Sequence, residues 1–137
     1  MKPVDQTKFG PVEGNCFSAA VASILEISID EVPWFMTNPG QWFEQFSAWC
    51  ASRGATAKYW PCKAWCEEWD GTGEPRVFIG VPVGHAIMSG ESPRYPGKLH
   101  SVVAMNGETV HDPHPSRAGV LGGIDYRDFV TIDGGSP

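Results

Sequence analysis

The chain has 137 residues, a formal net charge of −6 and 42% hydrophobic residues, which suits one globular domain with a substantial core. Its ten basic residues are scattered, whereas a surface for nucleic acid would need them clustered, so we do not expect a nucleic-acid partner. No apolar run approaches the roughly 18 residues of a membrane span, and residues 1–6 lack the apolar stretch of a signal peptide. We therefore expect a cytoplasmic protein without membrane attachment, whose four cysteines are free thiols.

Two amphipathic helices are predicted in the first half of the chain. Residues 15–27 carry apolar side chains at the spacing of one helix face, and Asn15 is suited to the N-cap. Residues 40–53 repeat that spacing with large aromatic side chains, and Gly54 follows as a suitable terminating glycine. A shorter helix is predicted over residues 62–69.

The second half is rich in short β-type segments separated by glycines and prolines. The patterns predict strands over residues 56–60, 76–81, 84–89, 98–105, 108–112 and 126–132. Residues 90–97 are predicted to be a loop, and Asn106-Gly107 marks the clearest hairpin turn. Because helices come first and strands later, we predict the α+β class, with N-terminal helices packed on an antiparallel sheet in one domain over residues 1–137.

Cys16 stands at the first turn of the first predicted helix, a position that favours a nucleophilic thiolate. Unpaired N–H groups and the positive end of the helix dipole stabilise a negatively charged sulfur there. His100, on a predicted strand, would lower the pKa of the thiol further and later donate a proton to a leaving group. Asp112, on the next strand, would orient the His100 ring. The three residues predict a cysteine nucleophile, a histidine base and an orienting acid.

A contact between His100 and Asp112 depends on the register of the hairpin. A two-residue turn at Asn106-Gly107 places His100 opposite Pro113 and turns Asp112 to the other face of the sheet. A three-residue turn over residues 105–107 places His100 opposite Asp112 instead. We therefore predict the three-residue turn, or a bulge elsewhere in the hairpin.

The motifs around these residues resemble the papain-like cysteine hydrolase superfamily. They are Asn15-Cys16-Phe17 with Ala19-Ala20 ahead of a helix, His100-Ser101-Val102-Val103, and Val110 with Asp112-Pro113. Their order is most similar to bacteriocin-processing double-glycine peptidases and related small bacterial and phage proteins, and residues 111–116 also resemble phage-encoded members. The resemblance implies a papain-like fold and a thioester acyl-enzyme, without a cofactor, acting on a peptide or another substrate with an amide or isopeptide bond. It also implies Cys16 as nucleophile, His100 as base and Asp112 as orienting acid, and a phage-encoded member would work in the host cytoplasm.

The chain departs from the family pattern at the oxyanion hole. The family places a glutamine a few residues before the cysteine, whereas the only upstream glutamine here, Gln6, lies ten residues before Cys16. Gln6 and Asn15 are therefore both candidates for stabilising an oxyanion, beside the backbone N–H of Cys16.

Further residues are candidates for contacting a substrate. Trp34 and Trp60 stand beside prolines in predicted loops and are expected to line a groove. His85 lies on a neighbouring predicted strand and is both a candidate substrate contact and the main rival to His100 as base. Arg94 and Arg117 lie in loops and could hold a substrate carboxylate, although solvated surface is the plainer interpretation of both.

Other functions, and purely structural roles for the same residues, stay open. An amine that intercepts the thioester would make the protein an acyltransferase, and an inert thiol would make it a binding or inhibitor protein on the same fold. A metal site could form around residues 111–114, or a zinc site around Cys62 and Cys66. Cys16 could instead be a core cysteine and Asp112 a turn cap, while Cys50, on an apolar helix face, is expected in the core. The sequence carries no signal for the oligomeric state.

Overall fold

The computed structural model of the protein describes residues 1–35, 40–73 and 75–134. Its helices are α1 (Cys16–Leu25), α2 (Trp42–Ser52) and α3 (Lys63–Glu67), and its strands are β1 (Ala55–Trp60), β2 (His85–Glu91), β3 (Leu99–Met105), β4 (Glu108–His111) and β5 (Asp128–Gly134). This mixture of helices and strands confirms the predicted α+β class. No helix in the described part of the chain combines the length and the apolar character of a membrane span.

The strands form one sheet in the order β1-β5-β2-β3-β4, and every neighbouring pair is antiparallel. Helix α1 packs on β2 and β3, and α2 packs on β1. Because side chains alternate along a strand, each face of the sheet has its own buried cluster. The helix-covered face buries Val21, Phe46, Ile87, Val103 and Val130, and the other face buries Met88, Val102, Ala104 and Phe129. Burying each large apolar side chain stabilises the fold by roughly 1.5–3 kcal/mol.

Helix α1 is shorter than the predicted 15–27 segment because Glu26 adopts a left-handed conformation with φ 58°. Asn15 occupies the N-cap position, but its side chain does not cap the helix. Its Oδ1 instead accepts hydrogen bonds from the backbone N–H groups of Thr7 and Lys8 at 3.0 and 2.9 Å. The prediction of side-chain capping by Asn15 is therefore wrong, and this residue fixes the N-terminal segment beside the start of α1.

Residues 76–81 are not a strand, contrary to the prediction. The side chains of Val77 and Ile79 are 66% and 47% exposed, and Gly80 has φ +102°, which interrupts an extended run. A preference for β-structure reflects packing on a half-buried pleated surface, and this segment has no such surface to pack on.

Smaller differences concern the ends of elements. Strand β2 continues to Glu91 and so takes in the start of the predicted 90–97 loop. Strand β5 begins only at Asp128, because Ile124–Tyr126 forms a 3-10 helix. Helix α3 is shorter than the predicted 62–69 segment.

The β3–β4 hairpin has a two-residue turn, so the predicted three-residue turn is wrong. Asn106 and Gly107 have φ 52° and 86°, the left-handed pair that such a turn requires. The strands then pair Ala104 with Thr109 but Val103 with His111, which leaves Val110 as an extra, bulged residue. Continued along the chain, this shifted register carries Asp112 to the face that His100 occupies. The alternative that we predicted, a bulge elsewhere in the hairpin, is the one observed.

The turn offers a test of this hairpin. A Cβ at Gly107 would meet Val81 Cγ1 at 2.8 Å, whereas a Cβ at Gly97 would meet nothing within 4 Å, and both glycines have positive φ. Each alanine variant should lose about 1–2 kcal/mol from backbone strain, and Gly107→Ala should lose about 1 kcal/mol more through the clash. Urea unfolding of Gly107→Ala and Gly97→Ala measures the difference. Equal free energies of unfolding would contradict the packing of Val81 on the turn.

Candidate active site

Cys16 is the first residue of α1 and lines a cavity of about 650 Å³ between that helix and the sheet. The thiol is half-buried, and its Sγ accepts a hydrogen bond from the Ser101 backbone N–H at 3.4 Å. The start of the helix also supplies the Phe17 N–H to the sulfur. Cys16 is therefore an accessible thiol surrounded by backbone donors, which is the environment that stabilises a thiolate.

His100 and Asp112 form a buried hydrogen-bonded pair beside Cys16. Each is 4% exposed, and His100 Nε2 lies 2.7 Å from Asp112 Oδ1. His100 also hydrogen-bonds the Cys16 thiol. Since Nε2 is engaged with the acid, Nδ1 is the ring nitrogen left for the sulfur. The structure thus brings together the three residues that the sequence predicted, in the predicted order of contacts.

Asp112 has further donors besides the imidazole. Its Oδ1 accepts from the His114 N–H at 2.9 Å, and its Oδ2 accepts from the Gly119 N–H at 2.7 Å. Burial opposes ionisation of Asp112, but the hydrogen bonds from His100 and these two amides outweigh it and lower the pKa of the carboxyl to about 2. The buried carboxylate cannot be hydrated by water. The three hydrogen-bond donors take the place of water and keep Asp112 charged.

The pKa values of the His100 imidazole and the Cys16 thiol are shifted towards an ion pair. Burial opposes charge on His100, but hydrogen bonds to Asp112 and Cys16 outweigh it and raise its pKa to about 9. Burial likewise raises the pKa of Cys16, yet the hydrogen bond and positive charge of His100, with the backbone donors, bring it below the ordinary value. Both shifts favour the thiolate–imidazolium form of the pair, relative to a free thiol and a free imidazole.

The thiols of the other three cysteines have raised pKa values, whereas the pKa of the Cys16 thiol is lowered. Burial raises the pKa of the Cys50 thiol to about 11, and Cys50 is a core residue as predicted. Burial also raises the pKa values of Cys62 and Cys66. Cys62 caps α3, since its Sγ accepts from the Trp65 N–H at 3.3 Å. All four are free thiols.

Gln6 lies at the site, and the side chain of Asn15 has another role. Gln6 is 7% exposed and lines the cavity, and its Nε2 donates to the Lys8 carbonyl at 2.8 Å, which leaves a second amide hydrogen. Asn15 also borders the cavity, but its Nδ2 donates to Thr7 Oγ1 and its oxygen is already occupied. Each amide group therefore keeps one hydrogen that the loop does not use, but the Gln6 side chain is buried at the cavity, whereas Asn15 is only half-buried and holds the loop through both its oxygen and its nitrogen.

Only one of the two predicted groove tryptophans lines the cavity. Trp34 does so. Trp60 lies elsewhere, with its Nε1 donating to Thr131 Oγ1 at 2.9 Å and Lys58 Nζ 4.4 Å from its ring centre. The prediction for Trp60 is wrong because the ring packs with the cluster on the helix-free face of the sheet.

His85 is neither a substrate contact nor a rival base. It pairs with Met105 at one end of the β2–β3 ladder, whereas His100 pairs with Gly90 near the other end. Five residues along a strand correspond to roughly 16 Å, so His85 cannot reach Cys16. Its interpretation as a substrate-binding residue is therefore wrong.

Several cavity residues were missed by the sequence reasoning. The aromatic wall adds Phe35, Trp42, Tyr59 and Trp65 to Trp34, and the β2–β3 loop contributes Tyr95 and Lys98. Trp42 was assigned only to the buried stripe of the second helix, since helical spacing alone does not separate a core ring from one at the rim of a cleft. Arg94 was considered for a substrate carboxylate, and it does line the cavity.

Arg117 does not line the cavity and instead joins the N-terminal segment to the chain at Asp112. Its guanidinium binds Asp5 through Nη1–Oδ1 at 2.6 Å and Nη2–Oδ2 at 2.9 Å, and Nη1 also donates to the Asp112 carbonyl. Nearby, His111 Nε2 donates to the Val4 carbonyl at 2.9 Å. Among the described residues there is no group of three or more His, Cys, Asp or Glu side chains placed to hold a metal ion.

Comparisons of the chain with family models, with curated proteins and with solved structures gave no match.

The shifted pKa values predict that Cys16 is the most reactive of the four thiols. Limited alkylation near pH 6 should label Cys16 first, because only this thiol has a pKa below the ordinary value. Peptide mass spectrometry of the alkylated protein reports the order of labelling. Preferential labelling of Cys50, Cys62 or Cys66 would contradict the environment described for Cys16.

The His100–Asp112 pair predicts a defined pH window of stabilisation. The pKa of Asp112 is lowered from 3.8 to about 2, so its stabilisation is complete above about pH 4 and is lost as pH falls towards 2. The pKa of His100 is raised from 6.5 to about 9, so its stabilisation is complete below 6.5 and is lost as pH rises towards 9.

Asp112→Asn should therefore lower the free energy of unfolding by about 3 kcal/mol between pH 4 and 6.5, with a smaller loss on either side. Urea unfolding of wild type and variant at intervals from pH 3 to 9 measures this profile. Asp125→Asn, at an exposed position, is the matched control and should change little. A loss that stays constant from pH 6.5 to pH 9 would mean that Asp112 serves only as a turn cap, because the decrease over that range comes from His100 alone.

Proposed function

We propose that this protein is a cysteine-dependent hydrolase of the papain-like kind, acting on a peptide or another amide-containing substrate. The observation that carries the proposal is the hydrogen-bonded chain from the Cys16 thiol through His100 to Asp112, at the edge of an open cavity. A buried histidine with its second nitrogen on a carboxylate is the usual support for a nucleophile–base pair. In favour of a papain-like arrangement, the nucleophile begins a helix and the base lies on a strand of an antiparallel sheet.

The proposed reaction has two steps. The Cys16 thiolate attacks the carbonyl carbon, and a C–S bond forms while the C–N bond breaks and His100 Nδ1 gives its proton to the departing amine. Water then attacks the thioester, with neutral His100 taking one of its protons, and the carboxylic acid leaves as the Cys16 sulfur is released. The Cys16 backbone N–H and the second Gln6 amide hydrogen are the candidate donors for the oxyanion of both tetrahedral intermediates.

Two other functions share this geometry in part. If an amine instead of water takes the acyl group from Cys16, the protein is an acyltransferase. If the thiol is inert, the cavity belongs to a binding or inhibitor protein. A cytoplasmic location, the host cytoplasm for a phage-encoded protein, remains part of the proposal because it would keep the Cys16 thiol reduced.

Turnover of an activated ester tests the proposal without knowledge of the natural substrate. Wild type should hydrolyse p-nitrophenyl acetate with an initial burst, and intact-protein and peptide mass spectrometry should place the acetyl group on Cys16. Cys16→Ser should lose about 10³-fold or more in the acylation rate while the thermal midpoint stays near that of wild type. Cys62→Ser, which removes a thiol outside the site, is the matched control and should keep the wild-type rate.

The same experiment separates the alternatives. Release of the acetyl group as an amide when glycinamide is added would favour acyl transfer over hydrolysis. Absence of an acetyl-enzyme, with equal rates for wild type and Cys16→Ser, would contradict the enzyme proposal and favour the binding protein.

A further inference from the structure

The cleft beside Cys16 contains two cations without an acidic partner. Arg94 and Lys98 both line the cavity, on the loop between β2 and β3. Within the described ranges neither of them forms an ion pair with a carboxylate, whereas Arg117, outside the cavity, binds Asp5. In a chain of net charge −6, two positive charges that line one cleft without a carboxylate partner leave this part of the cleft suited to an anionic group of a ligand.

The loop that carries these cations is held in one shape by a buried serine. Ser92 is 4% exposed, and its Oγ accepts hydrogen bonds from the Arg94 and Tyr95 N–H groups, both at 3.2 Å. Its own N–H donates to the Lys98 carbonyl at 2.8 Å. The positions of Arg94 and Lys98 are therefore set by the fold of the loop.

The Arg94 side chain is also held in place, by a hydrogen bond to an uncharged serine. Its Nη1 donates to Ser116 Oγ at 3.1 Å, and the Ser116 N–H donates to His114 Nδ1 at 3.0 Å. The His114 ring centre lies 6.3 Å from that of His100. Burial and then the charge of Arg94 lower the pKa of His114, which indicates that the field of Arg94 reaches the edge of the candidate catalytic pair. A serine partner fixes the guanidinium without cancelling its charge.

The end of the cleft near β5 contains a negatively charged side chain. Asp128 lines it, with Oδ2 accepting from the Tyr59 hydroxyl at 2.9 Å and Oδ1 from the Cys62 N–H at 2.7 Å. Asp128 pairs with Ser89, which pairs with Ser101, the residue whose N–H contacts Cys16. Two strand spacings separate the Asp128 backbone from that of Ser101 by roughly 10 Å. The cleft is thus positive towards the β2–β3 loop and negative towards β5.

We propose that the cleft selects a substrate with a carboxylate group, bound by Arg94 and Lys98, next to the carbonyl that Cys16 attacks. The apolar part of the substrate lies on the other side of Cys16, against Trp42, Tyr59 and Trp65. An arginine presents a planar fork of donors that matches a carboxylate, and Lys98 adds a second charge. This inference names the substrate class of the proposed hydrolase and so rests on that function.

A pair of alkylating reagents tests the inference. Iodoacetate and iodoacetamide undergo the same step, in which the Cys16 sulfur forms a bond to carbon and iodide leaves, and they differ in carrying a carboxylate or an amide. The ratio of their rate constants at Cys16, measured at low ionic strength with the site assigned by peptide mass spectrometry, isolates the effect of the carboxylate. The iodoacetamide rate is an internal control for folding and for thiolate content.

Arg94→Gln should lower the iodoacetate-to-iodoacetamide ratio about threefold to fivefold, because one unit charge near the reacting group is lost. Lys98→Gln should lower it less, and Arg94→Lys should restore most of it. Lys2→Gln, an exposed position outside the cavity lining, makes the same change of net charge and should leave the ratio unchanged. Added salt should reduce the wild-type preference.

The possible results distinguish this inference from the hydrolase proposal. An unchanged ratio in both Arg94→Gln and Lys98→Gln, with Cys16 still reacting rapidly with iodoacetamide, would overturn the carboxylate inference alone. An equal fall in Lys2→Gln would also overturn it, since the effect would then come from net charge. If Cys16 reacted with iodoacetamide no faster than in the unfolded chain, the activated thiol itself, and with it the proposed function, would be contradicted.

Discussion

The buried hydrogen bond between His100 and Asp112 is the interaction that the surrounding structure has to accommodate. Two ionisable side chains that are each 4% exposed are costly to bury unless they are paired and their remaining lone pairs are satisfied. The chain after β4 meets this requirement by turning so that the N–H groups of His114 and Gly119 point at the carboxylate. The Val110 bulge makes the pairing itself possible, because without the extra residue Asp112 would face away from His100. An irregularity in one short strand thus decides whether the pair exists.

The N-terminal segment holds this arrangement from outside the sheet. The Gln6 N–H donates to the Pro113 carbonyl at 3.0 Å, and Arg117 joins Asp5 to the Asp112 carbonyl. The same segment continues to the loop that Asn15 fixes beside the start of α1. Residues before the first helix therefore connect the segment that contains Asp112 to the helix that begins with Cys16, although none of them belongs to the candidate trio.

The sequence predicted what depends on local pattern and failed where distant packing decides. Helix α1 and the β3–β4 hairpin follow from apolar spacing and from Asn106-Gly107, and the order Cys16, His100, Asp112 followed from their places on those elements. The bulge at Val110 has no local signal, since nothing in its neighbours demands an extra residue. The segment 76–81 has β-type residues but pairs with no strand of the described sheet, and Trp60 faces the side of the sheet that helices leave uncovered. In each of these cases the missing information lies in contacts with residues that are distant in the sequence.

The cavity and the candidate trio are built from different parts of the chain. Cys16 begins α1, and His100 and Asp112 belong to one hairpin and its continuation, whereas the aromatic wall comes from α2, β1 and α3 and the cations from the β2–β3 loop. The sheet order joins the two sets, because β2 lies between β3 and β5 and its Ser89 stands between Ser101 and Asp128. The hydrogen-bond partners of His100 and Asp112 are Cys16, Arg117, each other and the N–H groups of His114 and Gly119, none of which is a wall residue. For the proposed hydrolase, this separation assigns substrate preference and bond making to different parts of the chain, with the β2–β3 loop as the proposed source of charge selectivity.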